Sequence, residues 1–382
     1  MLAKVLGQLD IETFLADYWQ KKPCIFRQSI ADPAKLDANQ LAGLACEPDA
    51  DTRLVFENQD CPWRVEHGPF QESALQALPK SGWMLLVNGL NRLIPPINRL
   101  LDEFHFLPSW RVDDVMASYG PEGSSVGPHG DRYDVFLLQM QGRKHWHIAT
   151  EYKRAILPGL DLRILSDFQA QQSWLLEPGD MLYLPPHTAH HGVATDGPSM
   201  TYSIGFRSPP KSELLRGYVE YVTQSAAFEE LYQHPYDKLA NHGEITSQTI
   251  ASLLDIVATL PLSTDDMAHW FAQMVTESAD QLTEPQASPL SWQAFFAAWQ
   301  TQTLWADETT RMNYFTDTQG RCQCYINGAR YELAAENRAA VARLTGGRCW
   351  CFSDFKHGMG QDFQDTLYQA YCNGYVYFPE HD

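Results

Sequence analysis

Apolar positions along this chain change period twice, and the changes mark three stretches. At the start, Ile11, Phe14, Leu15 and Tyr18 recur at helical spacing behind Asp10, whose carboxylate suits the free N–H groups of a first turn. Beyond that helix the period falls to two. Short alternating or unbroken apolar runs, separated by Gly, Pro and Asp, predict strands at Val112 to Ser118, Val135 to Met140, Arg143 to Ile148, Met181 to Leu184 and Thr201 to Phe206. Many short strands divided by turn residues are the pattern of a double-sheet jelly roll. From Pro209 to about Pro289 the spacing is helical again. One stripe is Leu214, Leu215, Tyr218 and Val222; another is Ile250, Leu253, Leu254 and Val257; a third, behind the cap Ser263, is Met267, Trp270, Phe271, Met274 and Val275. Thr283 to Pro289 reads as a linker. The tail then mixes a helix carrying Trp292, Phe295, Phe296 and Trp299 with strands turning at Asn327-Gly328, and a last helix ending near Asn373-Gly374. The expected fold is α+β in three parts, residues 1–210, 211–289 and 290–382.

Alternation also says which side chains share a face. Asp114, Met116 and Ser118 lie together on their strand, opposite Asp113, Val115 and Ala117; turned inward, the first set offers a carboxylate, a thioether and a hydroxyl. Thr201, Ser203 and Gly205 share a face in the same way. Lys144 falls in line with Trp146 and Ile148, an ammonium in an apolar row. Such a charge must reach the rim along its flexible stem or meet a fixed anion.

The chemistry concentrates at His129-Gly130-Asp131, immediately before the apolar run at Val135. With 13 histidines and 47 acidic residues, on the order of one or two His-x-Asp/Glu pairs are expected by chance. His242-Gly243-Glu244 is one, in a polar stretch with no strand after it. The first pair differs in its context, because Val135 to Met140 follows it as an apolar run of strand length; a strand that begins at or before His129 puts His129, Asp131 and Tyr133 on one face. A third ligand is offered after Pro185-Pro186 by His187, His190 or His191, in what reads as a loop where periodicity does not choose. Two imidazoles and a carboxylate on one side of a metal leave the other side open for a co-substrate and dioxygen, as non-haem Fe(II) oxygenases require. Thiolates would have favoured zinc or clusters, and an all-oxygen set calcium or magnesium.

The segments Val126 to Phe136 (VGPHGDRYDVF), Leu175 to Pro186 (LEPGDMLYLPP) and Tyr202 to Arg207 (YSIGFR), with Tyr18 to Pro23 (YWQKKP), resemble the bacterial ribosomal oxygenases. These are JmjC-type enzymes that use Fe(II), 2-oxoglutarate and dioxygen to hydroxylate an arginine of large-subunit ribosomal protein sixteen. The resemblance spans nearly the whole chain. It implies that His129, Asp131 and His190 hold the iron and act catalytically, that Lys144 pairs with the distal carboxylate of 2-oxoglutarate, and that the Ser118 hydroxyl contacts the co-substrate; Ser203, on the shared face of its strand, is a further candidate for that contact. It further implies that Asp114 takes the substrate guanidinium between Met116 and Tyr133. Similar bacterial proteins can carry arginine where this chain has Lys144, which keeps the charge without the bidentate fork. The family pattern also implies a cupin/JmjC barrel, a helical dimerisation region that makes a homodimer, and a winged-helix-like tail. Rival readings are an N-methyl-lysine or N-methyl-arginine demethylase on the same centre, a non-catalytic metal-binding cupin, and a winged-helix regulator with a degenerate barrel.

Charge narrows the partners. The 382 residues include 28 basic and 47 acidic ones, a formal net charge of −19, which disfavours nonspecific binding to nucleic acid or anionic membrane and favours a basic protein substrate. Residues 211–290 alone carry 3 basic and 12 acidic residues. Residues 291–382 carry 7 and 10, so direct nucleic-acid binding by the tail is not expected. None of the 8 cysteines forms a Cys-x-x-Cys pair; Cys322/Cys324 and Cys349/Cys351 fall in strand-like runs and are expected as buried thiols. Met1 to Asp10 has no long apolar core and no segment reaches membrane-spanning length, so a cytoplasmic protein is expected.

Overall fold

The computed structural model describes residues 4–30, 34–57, 63–225, 228–233, 241–277, 283–355 and 358–379, and Cys61 lies outside them. It divides into two compact units, Met1–Ser208 and Pro209–Asp382.

The first unit begins with the expected helix, Ile11–Asp17, capped by Asp10, whose carboxylate accepts from Thr13 N at 2.8 Å. Phe14 on that helix is fully buried among Phe26, Phe136 and Tyr183, which fixes the helix against the barrel. Among the described residues ten strands follow: β1 (Cys24–Phe26), β2 (Thr52–Phe56), β3 (Arg64–His67), β4 (Trp83–Val87), β5 (Val112–Gly120), β6 (His129–Gly130), β7 (Asp134–Ala149), β8 (Gln172–Leu176), β9 (Met181–Leu184) and β10 (Ala189–Phe206). They pair in the order β1-β9-β7-β10-β5-β4-β2-β3, with β6 added to β10 and β8 to β7.

Two differences from the sequence reading follow from the long strands. The runs at Val135 and Arg143 are one strand of 16 residues rather than two. Gly142 makes this possible: it adopts φ +63°, and a side chain there would collide with the Pro198 carbonyl of β10, whose register shifts between Thr195 and Met200. The bend lets β7 pair with β9 in its first half and β8 in its second, so the jelly roll closes around it. The second difference concerns the histidine loop. It is only a short turn after Pro185, because β10 already begins at Ala189 and carries His190 and His191 on opposite faces.

The start of β7 is tied down by Asp134, a fully buried carboxylate that accepts from Tyr183 Oη (2.6 Å), Arg111 Nη2 (3.2 Å), Gln20 Nε2 (3.0 Å) and Ser208 Oγ (3.1 Å). A buried charge so fully bonded fixes the register in which the following residues meet the cavity.

In the second unit, helices span Lys211–Val222, Ser247–Ala258 and Thr264–Thr276, the last capped by Ser263, whose hydroxyl accepts from Asp266 N. Tyr218, Val222 and Trp270 form a small core, but Leu215 of the expected stripe is 67% exposed. The helix Ser247–Ala258 buries none of its residues; Ile250, Leu253, Leu254 and Val257 are all exposed. The tail holds two three-stranded sheets. The hairpin turn falls at Asn327-Gly328, both with positive φ, the geometry that favours these two residues. Cys322 and Cys324 are buried as expected. Cys351 is not: it lies beyond the strand Cys349–Trp350 and is exposed, and Cys349 is only half-buried. Among the described residues no helix is long and apolar enough to cross a membrane.

Candidate metal centre

His129, Asp131, His190, Lys144, Ser118, Ser203, Asp114, Met116 and Tyr133 all line one cavity of about 280 Å³ inside the barrel. His129 and His190 are direct register partners on β6 and β10, with ring centroids 4.2 Å apart. Asp131 lies just past β6, in the irregular connection ahead of a bend at Arg132 and Tyr133, rather than in the extended strand that alternation assumed. Its carboxylate still reaches both rings, with Oδ1 4.0 Å from His129 Nε2 and Oδ2 3.7 Å from His190 Nε2. The His187 N–H donates to the Asp131 carbonyl at 2.6 Å and so ties that connection to the turn before β10. One donor atom from each of the three residues falls within 4.8 Å of the others.

The two imidazoles are oriented alike. His129 Nδ1 lies 2.9 Å from the Gly127 carbonyl and His190 Nδ1 3.0 Å from the Thr188 carbonyl, so each Nδ1 is the protonated donor and each Nε2 keeps its lone pair for a metal. Burial, reinforced by His129, pushes His190 down to about 4, which keeps it neutral at ordinary pH. The donor set, two imidazole nitrogens and one carboxylate with room in the cavity opposite, suits ferrous iron.

The other candidate histidines go elsewhere. His191 faces away from the cavity, against His147 and Phe168, and burial pushes it down to about 4. His187 takes a left-handed conformation, φ +64°, and lines a separate cleft with Lys21 and Arg154. His242-Gly243-Glu244 lies outside any helix or strand.

Across the cavity, Lys144 on β7 is 3% exposed. Desolvation alone pulls its ammonium down to about 8, no acidic side chain among the described residues offsets that burial, and its Nζ lies 5.0 Å from the Trp146 ring. Ser118 is buried as well, and among the described residues its hydroxyl makes only a long 3.5 Å bond to the Thr201 carbonyl. A buried cation without a counter-ion beside an under-used hydroxyl is a place prepared for a carboxylate. Ser203 pairs with Met116 across β10 and β5 and reaches the cavity; Thr201 does not, since its hydroxyl donates to Gln139 Oε1 at 3.1 Å.

At the other end, Asp114 accepts from Gly89 N at 3.1 Å, and burial raises its carboxyl above the usual range. Met116 packs with Trp63, Met84, Leu86 and Ile164. Tyr133 is 38% exposed, as befits the cavity rim, and burial of its hydroxyl together with Asp131 and Asp114 pushes the phenol well up. Sequence reasoning missed Arg53, Asn88 and Arg163, which also line the cavity. Arg53 gave the same signal as Lys144, a cation in a short apolar strand. Asn88 and Arg163 gave none, because they sit in connections whose path only the fold determines.

Residues 99–214 match the family model described as JmjC domain. The ribosomal protein uL16 3-hydroxylase of Escherichia coli is 36% identical over 70% of this chain and 72% of its own length. A probable ribosomal oxygenase of Haemophilus influenzae is 38% identical over 54% of this chain and 52% of its own. The solved structure of YcfD, a ribosomal oxygenase from Escherichia coli in complex with cobalt and 2-oxoglutarate, superposes with a TM-score of 0.82 at 29% identity, covering 98% of this chain and 99% of that one.

Proposed function

Because the chain belongs to the JmjC-type bacterial ribosomal oxygenases, we propose that it is an Fe(II)- and 2-oxoglutarate-dependent dioxygenase that hydroxylates an arginine side-chain carbon of a large-subunit ribosomal protein, number sixteen. The observation that carries the reading is the meeting, in one cavity, of two free imidazole Nε2 atoms and a carboxylate with a buried, unpaired ammonium. The first set suits a metal with open positions, and the second suits the far carboxylate of a dicarboxylic keto acid.

In this reading His129, Asp131 and His190 hold the iron. Lys144 pairs with the distal carboxylate of 2-oxoglutarate, the Ser118 hydroxyl donates to it, and Ser203 lines the same floor. Once bound, the iron would supply the oxidising power for inserting one atom of dioxygen into a substrate C–H bond, the other atom ending in succinate as the keto acid loses carbon dioxide. Asp114 accepts the paired N–H groups of the substrate guanidinium, while the Tyr133 face and the Met116 thioether flank its plane. Trp146, Leu137 and Ile164 line the space between with apolar surface and keep water from it.

The test incubates the purified chain with ribosomal proteins, Fe(II), 2-oxoglutarate and oxygen, followed by peptide mass spectrometry. One oxygen gained on an intact arginine peptide, matched by succinate, is expected. Formaldehyde release would move the chemistry to demethylation, and absence of 2-oxoglutarate turnover would leave a non-catalytic cupin.

Two further parts of the reading concern the second unit. The uncovered apolar face of Ser247–Ala258 supports a homodimer formed through this helical region. The helices and two small sheets after Ser291 support a winged-helix-like tail whose acidic balance is unsuited to phosphate recognition. Such an enzyme would work in the cytoplasm, where its ribosomal substrate is made.

A further inference from the structure

The cavity holds a cation that the mechanism above does not use. Arg53 stands on β2 between Thr52 and Leu54, both buried, and pairs across the sheet with Leu86 of β4, which in turn pairs with Ser118 of β5. It therefore lies in the same cross-strand row as Ser118, two strand spacings or about 10 Å away. That separation places it toward the substrate end of the cavity. Its charge is felt there by Tyr133, in whose phenol Arg53 opposes the upward shift set by burial and the neighbouring carboxylates.

Among the described residues, the only hydrogen bond of this guanidinium is a long one, from Nη2 to Asn88 Oδ1 at 3.5 Å; Nε is buried with no acceptor at all. Asn88 is itself held, donating from Nδ2 to Asp51 Oδ2 at 2.6 Å. A guanidinium has five donors in a fixed fork, and leaving a buried one unmet carries a penalty that an aliphatic residue at this strand position would avoid. The acidic group nearest in function, Asp114, accepts from Gly89 N and makes no ion pair with Arg53. In the hydroxylase reading, on which this inference rests, Asp114 is reserved for the incoming arginine. The acceptor for Arg53 must then arrive with the substrate, and it cannot be the reacting side chain, which is a cation itself. What remains is an oxygen of the segment that carries that side chain.

We propose that Arg53, steadied by Asn88, is a substrate-binding residue that donates to a carbonyl or carboxylate oxygen of the segment bearing the target arginine, and that it disfavours a second cation beside the target. Arg163, which also lines the cavity, adds to its positive field. One end of the cavity thus reads the guanidinium by Asp114, and Arg53 reads the chain that presents it. Together they fix both the charge of the target and its approach.

The experiment measures binding of synthetic arginine-bearing peptides from large-subunit ribosomal protein sixteen to the full chain loaded with Co(II) and 2-oxoglutarate, which reads affinity without turnover. Arg53→Met and Arg53→Lys are both expected to raise the peptide Kd about 10- to 100-fold, since lysine keeps the charge but loses Nε and the fork. Asn88→Ala should weaken binding by less, and the KM for 2-oxoglutarate should stay that of the unaltered chain. Placing lysine next to the target should weaken binding to the unaltered chain more than to Arg53→Met. Exchanging acidic neighbours of the target for their amides separates the two sources of oxygen: an unchanged Kd identifies a main-chain carbonyl, a raised one a carboxylate. An unchanged peptide Kd in Arg53→Met, full affinity in Arg53→Lys, or a loss shared equally with 2-oxoglutarate binding and melting temperature would overturn the proposal. Turnover of the same peptides by the unaltered chain on Fe(II) is scored separately and tests the hydroxylase reading by itself.

Discussion

At the scale of single residues, the site is governed by what each buried polar group lacks. His129 and His190 have one ring nitrogen satisfied and one free, and Asp131 stands between the free ones. Asp131→Ala is therefore expected to abolish hydroxylation and weaken Co(II) binding by more than about 100-fold, measured by isothermal titration, without lowering the melting temperature of the metal-free chain. Lys144 lacks an anion. In the free protein its pKa is lowered from 10.5 to about 8, so the cost of burying the ammonium is full below pH 8, falls as pH rises from 8 to 10.5, and is gone above that. Its size is on the order of 3 kcal/mol. Lys144→Met should accordingly make the free chain more stable to urea at pH 7, while raising the KM for 2-oxoglutarate at least about 100-fold; a variant no more stable than the unaltered chain would mean the charge is already compensated. Affinity for 2-oxoglutarate in the unaltered chain should decline above about pH 8, because the binding form of Lys144 is then the minority. Lys144 was legible in the sequence because a cation in an apolar row is conspicuous, and Asp131 because it stands two residues after His129 at the head of an apolar run. Choosing His190 among three histidines was not legible from pattern, because the residues after Pro186 give no period until the strand is known to begin at Ala189.

At the scale of elements, the cavity depends on strands that serve two sets of neighbours. β7 brings Val135 and Leu137 to the cavity in its first half and Lys144 and Trp146 in its second, and only the bend at Gly142 lets one strand do both. The sequence showed the two apolar runs but suggested a break between them, since glycine ends strands as readily as it bends them. Gly142→Ala is expected to cost about 1–3 kcal/mol in urea unfolding, from the positive φ and the Pro198 carbonyl together, and to raise the KM for 2-oxoglutarate more than that for peptide. Equal changes in the two constants would show that the halves of β7 move together. Asp134 controls the other end of the strand. Its four side-chain partners come from distant points in the sequence, which is why no local pattern announced it. Asp134→Ala leaves Arg111 with a lost carboxylate partner in a mostly buried setting, and a destabilisation of about 3–5 kcal/mol in urea melts is expected, against less than 1 kcal/mol for exposed acids such as Glu12.

For the whole molecule, the uneven distribution of burial predicts what the chain does in company. The barrel hides its apolar strands on both faces, whereas the helix Ser247–Ala258 leaves Ile250 at 47%, Leu254 at 63% and Val257 at 60% exposure. Its helical stripe was plain in the sequence, but a stripe says only that a helix has an apolar face, never what covers it. An isolated 12-residue helix with no buried side chain would be marginal in water, so its formation argues for a surface supplied by another chain. Residues 211–290 are also strongly acidic, with 3 basic and 12 acidic residues, so in the proposed dimer two copies would have to gain enough from apolar burial to outweigh like-charge repulsion. That balance gives a signed expectation: added salt should tighten the dimer by screening the repulsion, while it should weaken association with a basic ribosomal protein by screening attraction. Sedimentation equilibrium should find a dimer for the unaltered chain and a monomer for the double variant Ile250→Glu, Leu254→Glu, which puts two charges into the shared face. Because every residue proposed to touch iron, 2-oxoglutarate or substrate lies in Met1–Ser208, the monomeric variant should keep peptide Kd and 2-oxoglutarate KM within about twofold, with losses confined to thermal stability. A monomer that no longer binds peptide would show instead that the second copy completes the substrate site.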